Sequence, residues 1–256
     1  MARIELKQVR GLMSRNEWLI TGAAVVLSIV AGLLTAIHAN AVLTFVVSGA
    51  ALALLAALVG MGTEQMGSRL GPGATGVLQS TLGNLPELFV GYFALHDGLI
   101  TVIQAALVGS ILGNSLLVLG LAFFVGGLRH GTQRFASQVP RMIATLTLLS
   151  VAALALPTLV LFLHTPAAGH EDALSIGCAV ILLIVYIASI PVSLQGGPTT
   201  IPEEAEEPLR QWPLWLAVVI LVVAGVGAAF VSDWFVAALT PAIAILHISQ
   251  TFTGLV

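Results

Sequence analysis

A glutamate lies near the middle of a long apolar stretch of this sequence, GPGATGVLQSTLGNLPELFVGYFAL. At the centre of a membrane-spanning helix an acidic side chain costs about 2.5–3.5 kcal/mol on insertion scales, so such a residue usually has a function. Ser80, Asn84 and Glu87 are spaced i, i+4 and i+7 and therefore share one helix face. A carboxylate beside neutral oxygens predicts a site for a cation or a proton.

Pro86 immediately precedes this glutamate. Its nitrogen carries no hydrogen to donate to the carbonyl of Leu82, and its ring clashes with that carbonyl. We expect the helix to kink or open near Gly83, leaving carbonyl oxygens that a bilayer tolerates only against protein or water. Gly83 and Gly91 lie on the Glu87 side of the helix and allow another backbone to come close. Loosened carbonyls suit a hard cation, since calcium takes about 6–8 oxygen ligands.

The next apolar stretch carries a second polar stripe. Ser110 and Asn114 are spaced i, i+4, and Gln104 lies about 120° away on an ideal helix. Hydrogen bonding between helices, worth about 1 kcal/mol per residue, would explain each of these side chains taken singly. If the stripe instead faces the glutamate from an adjacent helix, Ser110 and Asn114 belong to the same site.

The composition limits the class of protein. Charged residues make up 8% of the 256 residues and hydrophobic residues 58%, whereas a soluble domain is about a quarter charged. We therefore predict an all-α, polytopic transmembrane helical bundle. A single cysteine excludes a disulfide framework. No Ser/His, Asp/Asp or HExxH constellation lies within a span, so we expect no enzymatic activity, no cofactor and no nucleic-acid partner.

The basic residues predict how the chain crosses the membrane. Seven segments reach the roughly 20 apolar residues that a spanning helix needs, and an eighth begins near residue 240. All nine Lys and Arg residues fall in alternate links, and the links around His38, Asp97, His164 and Asp233 hold none. By the positive-inside rule the N-terminus is then cytoplasmic. The seven segments are 17–37, 41–62, 72–96, 98–125, 138–163, 172–192 and 213–231.

Two segments outside the main spans have alternative interpretations. The first span could be the apolar part of a signal peptide, with Ala39-Asn40-Ala41 as its small-x-small site, but its length favours a retained helix. The acidic loop is either a solvated linker or a patch that attracts cations. Its glutamates are Glu203, Glu204, Glu206 and Glu207.

These observations divide the chain into five parts. They are a cytoplasmic basic tail (1–16), an extra N-terminal transmembrane helix (17–37), a first transmembrane half (38–192), an acidic cytoplasmic loop (193–212) and the start of a second half (213–256).

The residues around the glutamate carry a family resemblance. Gly83-Asn84-Leu85-Pro86-Glu87 resembles the GNxxE motif of the first α-repeat in calcium/cation antiporters, and VIQAALVGSILGNSLLVLGLAFFVGGLRHG, residues 102–131, is similar to the next helix of the calcium/proton exchanger branch. The resemblance runs from about Gly62 to Gly131, and helix order and acidic loop agree with it further on. One difference is Pro86, which is typical of the sodium-coupled relatives.

The resemblance implies a transporter in which two inverted repeats each place a glutamate at the membrane midplane, where cation and protons compete. Glu87 would be the carboxylate of the first repeat. Glu64 would match an accessory acidic position near the cytoplasmic entrance, and Gln104 a glutamine of the proton exchangers. The remaining residues of the implied metal site are Gly83, Asn84, Ser110 and Asn114.

The sequence also contains a repeat. TEQMGSRLGP begins at residue 63 and SDWFVAALTP at residue 232, and each places an acidic residue, Glu64 or Asp233, eight residues before a proline. By helix count the two copies lie on opposite sides of the membrane, as inverted-topology repeats do. We therefore count Asp233 as a second accessory residue. The 15 residues after Pro241 contain no GNxxE motif, so the resemblance places the second glutamate just beyond Val256.

We expect the chain to be the N-terminal part of an antiporter whose second repeat is incomplete here. The surface with Gly109 and Gly113 should then face lipid or another chain, and the missing half or a second copy would be its partner. The complete protein should exchange calcium, or a similar divalent cation, for protons by alternating access in a bacterial plasma membrane. Two alternatives stay open: a sodium/calcium-type exchanger, and a non-transporting fragment or partner subunit.

Overall fold

The computed structural model describes residues 13–132, 138–164, 166, 169–195 and 212–255. Within these ranges every regular element is a helix, and six helical stretches are long and apolar enough to cross a membrane. The predicted all-α transmembrane bundle is confirmed. Most of the basic tail lies outside the described residues. So does most of the acidic loop, including its four glutamates and Arg210.

The described residues form ten α-helices and one π-helical segment. In chain order they are α1 (Arg15–Ala36), α2 (Ala41–Leu70), α3 (Pro72–Leu82), α4 (Leu85–His96), α5 (Ile100–Leu112), a π-helical segment (Gly113–Val118), α6 (Leu119–His130), α7 (Gln138–Phe162), α8 (Glu171–Gln195), α9 (Leu214–Leu246) and α10 (Gln250–Leu255).

The chain divides into two compact units. The first unit contains the described parts of residues 1–71, 78–133 and 205–256, and the second contains those of 72–77 and 134–204. In the second unit α7 and α8 pack against each other as a pair. These two helices confirm the predicted spans at 138–163 and 172–192.

Side-chain caps fix where the first two helices begin. Ser14 Oγ accepts a hydrogen bond from the Glu17 N–H at 3.2 Å, while the Ser14 N–H donates to Glu17 Oε2 at 2.6 Å. Asn40 Oδ1 accepts from the N–H groups of Val42 and Leu43 at 3.0 and 3.2 Å. Such caps satisfy N–H groups that the first turn of a helix leaves without partners. The link from α1 to α2, residues 37–40, is short and makes the two helices an antiparallel hairpin.

Helices α2 and α9 form the core of the first unit. A Cβ on Gly62 would lie 3.3 Å from Leu221 Cβ, and one on Gly227 would lie 3.3 Å from Leu55 Cδ2. Residue numbers therefore fall along α2 as they rise along α9, and the two helices are antiparallel. Glycines at these contacts let the helix axes approach closely, as in other membrane helix pairs. The buried cluster between α1, α2 and α9 contains Ala24, Ala51, Leu52, Leu55, Leu58, Val59, Ala224, Ala228 and Val231.

The repeat in the sequence matches this pairing. Thr63 and Ser232 are both fully buried, whereas Glu64 and Asp233, which follow them, are both exposed. The two copies thus have the same burial pattern on antiparallel helices, as inverted-topology repeats require.

One predicted boundary is wrong. We expected the seventh span to end near residue 231 and a link to follow around Asp233, but α9 continues from Leu214 to Leu246. Its 33 residues correspond to about 50 Å of helix, which exceeds the roughly 30 Å hydrocarbon core. Pro241 removes one helical hydrogen bond without ending the helix. The buried Val236, Leu239 and Ala242 keep the segment after Asp233 packed on both sides of Pro241.

A buried tryptophan joins three chain segments at the start of α9. The Trp212 N–H donates to Gln65 Oε1 at 2.9 Å, and its carbonyl accepts from Arg69 Nη2 at 2.5 Å. The indole Nε1–H donates to Glu17 Oε2 at 3.3 Å. The side chain is fully buried. Trp212 therefore fixes the start of α9 to the C-terminal part of α2 and to the first turn of α1. Met13, Leu216 and Ala217 complete its apolar cluster.

Replacement of Trp212 by alanine should destabilise the first unit. Removing a fully buried aromatic side chain costs about 3–5 kcal/mol, and Glu17 loses the hydrogen bond from the indole N–H. Thermal unfolding of the detergent-purified protein should show a clear drop in midpoint. Trp215→Ala is the matched control, because Trp215 is 56% exposed. Equal midpoints for the two variants would contradict the role assigned to Trp212.

Candidate ion-binding site

The third predicted span is a broken helix. Helix α3 ends at Leu82, and α4 begins at Leu85 with Pro86 in its first turn. Between them Gly83 and Asn84 form a turn. Because Pro86 has no N–H, the carbonyl of Leu82 loses its ordinary helical donor. The predicted opening near Gly83 is confirmed. Discontinuous helices of this kind form substrate and ion sites in many secondary transporters.

Glu87 lies in the first turn of the second half-helix. Backbone N–H groups at a helix N-terminus carry a partial positive charge, which stabilises a nearby carboxylate. Pro86, Phe89, Val90 and Ala94 of the same helix pack against α2 and α9. The Glu87 side chain is exposed. Helix α4 therefore uses its apolar side for packing and leaves the carboxylate accessible.

Asn84 stabilises the turn and also offers an oxygen. Its Nδ2 donates to the carbonyl of Ser80 at 3.2 Å. The amide oxygen accepts no hydrogen bond from the part of the chain that the structure describes, and the side chain is exposed. Asn84 thus presents a neutral oxygen three residues before Glu87.

Gly83 and Gly91 do not meet a second helix. A Cβ on Gly83 would clash with the carbonyl of Gln79 in the preceding turn, and one on Gly91 would have nothing within 4 Å. Among the described residues, no second helix uses the room that these two glycines leave. For Gly83 the need for glycine is local, because the turn folds back on its own helix.

The fourth span contains a π-helical segment that the sequence analysis did not anticipate. It covers Gly113–Val118 and separates α5 from α6. A π segment inserts a residue into the helical repeat and is frequent at functional sites. Asn114 lies in it, whereas Ser110 precedes it in regular helix. The i, i+4 alignment of the two side chains assumed an unbroken α-helix, so the segment alters where Asn114 points.

The surface with Gly109 and Gly113 was expected to face lipid or another chain, and the structure contradicts this at Gly109. A Cβ on Gly109 would lie 2.5 Å from the carbonyl oxygen of Leu255, and one on Gly254 would lie 2.5 Å from that of Val102. Helix α10 thus packs backbone to backbone on α5, and the expectation that Gly109 faces lipid or another chain is wrong. A Cβ on Gly113 would have nothing within 4 Å.

The structure places the predicted ligands on accessible surface. The side chains of Glu87, Ser110 and Asn114 are all exposed, and no hydrogen bond joins the carboxylate to either of the other two within the described ranges. In the same ranges no three His, Cys, Asp or Glu side chains come together. Gln104, Glu64 and Asp233 are also exposed.

One polar contact near the break was missed. Thr63 Oγ1 lies 2.8 Å from Gln79 Oε1, which links α2 to the half-helix before the break. The two residues are 16 positions apart, and no local spacing rule relates them. The only sequence signal was the polarity of both residues within apolar stretches.

Comparison with known proteins agrees with this architecture. The model of the family described as "Sodium/calcium exchanger protein" matches residues 40–195. The Ca2+/H+ antiporter of Synechocystis is 36% identical over 234 residues, covering 83% of this chain and 62% of that protein. The Ca2+/H+ antiporter ChaA of Bacillus subtilis is 32% identical over 229 residues, covering 86% of this chain and 63% of the relative.

A solved structure supports the fold. Native YfkE superposes with a TM-score of 0.74 at 25% identity, and the match covers 93% of this chain and 67% of YfkE. A selenium-substituted form described as a Ca2+/H+ antiporter protein gives the same TM-score at 28% identity. The chain spans less than two thirds of the length of the curated relatives named above. With its family match over more than half of its residues, this multi-pass membrane protein belongs to the sodium/calcium exchanger protein family.

Proposed function

We propose that this chain serves in a secondary active transporter that exchanges calcium, or a similar divalent cation, for protons. The observation that carries the proposal is the helix break at Gly83–Asn84 with Glu87 in the turn that follows it. The relatives named as Ca2+/H+ antiporters support calcium as the cation and the proton as the counter-ion.

The proposed site combines one carboxylate with neutral oxygens. Glu87 supplies the charge, and the carbonyl of Gly83 and the side-chain oxygens of Asn84, Ser110 and Asn114 supply dipoles. These groups fall short of the about 6–8 oxygens that calcium takes. The exposure of Glu87 and Asn84 leaves room for the remaining ligands to approach from outside this half of the site.

Exchange follows from competition for one carboxylate. In the exchange cycle the carboxyl group of Glu87 carries either a proton or the divalent cation. An arriving divalent cation bonds to the same oxygens, and the proton leaves to water. The group cannot hold both ions well, so loading with one requires release of the other. Glu64 and Asp233 are accessory, since each is an exposed acid on a long helix beside a buried hydroxyl residue. Gln104 is the remaining accessory group.

Alternating access needs two bodies that move against each other. The antiparallel helices α2 and α9 carry the two copies of the repeat and pack along most of their length. The half-helix α4 packs against this pair through Phe89 and Val90. A tilt of the pair together with the break, relative to the segments that complete the site, would open the site to one side of the membrane and close it to the other.

A sodium-coupled exchanger is the second candidate, because Pro86 is typical of that branch. The two candidates predict different responses to sodium. For a proton-coupled protein, calcium uptake into proteoliposomes should follow an imposed pH gradient and be insensitive to sodium. Calcium uptake that requires a sodium gradient and ignores the pH gradient would assign the chain to the second candidate.

Replacement of Glu87 by glutamine should abolish calcium/proton exchange by the full-length protein. Glutamine keeps the size of the side chain but can neither carry charge nor release a proton. The assay is calcium-driven proton release from proteoliposomes, with expression and helix content as checks on folding. Asp97→Asn is the matched control, since Asp97 is an exposed carboxylate at the other end of α4 that pairs only with His96 at 3.4 Å in the described part of the chain. Substantial exchange by Glu87→Gln would remove Glu87 from the site.

The orientation of the chain is a further proposal, with the N-terminus and the acidic loop in the cytoplasm of a bacterial cell. Cysteines introduced at His38 and His164 should react with an impermeant thiol reagent in intact cells. A cysteine at Gly131 should react only after the cells are opened. The background is Cys178→Ser, which removes the native thiol. Labelling of position 131 in intact cells would contradict this orientation.

A further inference from the structure

We propose that Gln79 is a positioning residue of the ion site and that it holds the Gly83–Asn84 break in place through Thr63. The proposal rests on the transport function proposed above. It concerns a side chain that does not reach the ion but determines where the ligating groups lie.

The hydroxyl of Thr63 shows how the link is made. Thr63 is fully buried, and its Oγ1 lies 2.8 Å from the carbonyl oxygen of Gly60 and 2.8 Å from Gln79 Oε1. One hydroxyl hydrogen serves only one of these acceptors. Rotating the Gln79 carboxamide by 180° exchanges its oxygen and nitrogen. Thr63 then donates to Gly60 and accepts from the Gln79 amide, so that both contacts become hydrogen bonds. Gln79 is exposed, but the Thr63 hydroxyl is fully buried, and this arrangement satisfies the hydroxyl where a polar group without a partner is costly.

Two glycines make room for the carboxamide. Its other end lies 3.3 Å from the position of a Cβ on Gly83 and 4.0 Å from that of a Cβ on Gly60. The Gly83 N–H also donates to the main-chain carbonyl of Gln79 at 3.0 Å. Gln79 therefore contacts the break through both its main chain and its side chain, and it contacts α2 at Thr63 and Gly60.

This bridge supplies a restraint that Pro86 removes. In an unbroken helix the bond between residues 82 and 86 would fix the angle between the two halves. Here α4 is fixed by its packing on α2 and α9, and the end of α3 is fixed by the Gln79–Thr63 bond. The bond thus determines how the Gly83 carbonyl and the Asn84 amide lie relative to Glu87. Loss of the bond should weaken cation binding more than it slows the transport cycle.

The test measures exchange by the full-length protein in proteoliposomes over a range of calcium concentrations. Gln79→Leu and Thr63→Val should each raise the half-saturating calcium concentration about five-fold, the factor that a net hydrogen bond of about 1 kcal/mol corresponds to. The maximal rate should change less. Thr63→Ser keeps the hydroxyl and should behave as wild type. Thr35→Val is the control, because within the described residues the Thr35 hydroxyl bonds only to its own helix, at the Ala31 carbonyl 2.9 Å away.

Two further variants make the outcome decisive. The double variant Thr63→Val/Gln79→Leu should resemble the single variants, because both remove one bond. Gln79→Asn stays polar but is too short to reach Thr63, so it should show the same rise without adding an apolar side chain at this exposed position. Unchanged half-saturation in the single variants, or additive effects in the double variant, would overturn the positioning role. A wild-type protein without calcium/proton exchange would instead overturn the proposed function itself.

Discussion

The N–H group that Pro86 lacks is the constraint on which the site depends. In hydrocarbon an unpaired backbone carbonyl is costly, so a membrane helix opens only where other groups replace its lost bonds. Here local bonds hold the turn: the Asn84 amide donates to the Ser80 carbonyl and the Gly83 N–H donates to the Gln79 carbonyl. The Leu82 carbonyl is the group that loses its ordinary helical donor. The turn that results leaves carbonyl and amide oxygens next to Glu87. The proline thus creates the polar surface, and the glutamate gives it charge.

A broken helix needs a rigid support, and the α2–α9 pair provides it. Glycines at Gly62 and Gly227 bring the two helices close enough for Leu221 and Leu55 to fill the space opposite them. Trp212 then fixes the start of α9 through bonds to Gln65 and Arg69. Without a strong hydrophobic driving force between helices in lipid, such close packing and buried hydrogen bonds supply the association energy. The two half-helices are therefore held against a support that stays intact.

The accessibility of Glu87 is consistent with an ion site that is shared between segments. The apolar side of α4 is covered by α2 and α9, whereas the carboxylate and the Asn84 amide oxygen are open. The backbone contact between α5 and α10 at Gly109 and Gly254 brings the segment after α9 beside the polar stripe of the fourth span. In this architecture the two repeats approach each other at the helix that carries Ser110.

The sequence by itself determined the class of fold and the core of the candidate site. Charge depletion and span length predict membrane helices, because a soluble surface needs more polar side chains than this chain has. Glu87 and the break at Gly83 follow from residues within one turn of each other, so local rules were enough. Only the tertiary structure decided the features that depend on residues far apart in the sequence or on where a long helix ends or changes its hydrogen-bond pattern. Packing against α2 keeps α9 helical past Asp233 and Pro241, and no local signal marks the π segment at Asn114. The Thr63–Gln79 bond joins residues on two helices, and folding alone determines which polar side chains of separate helices meet.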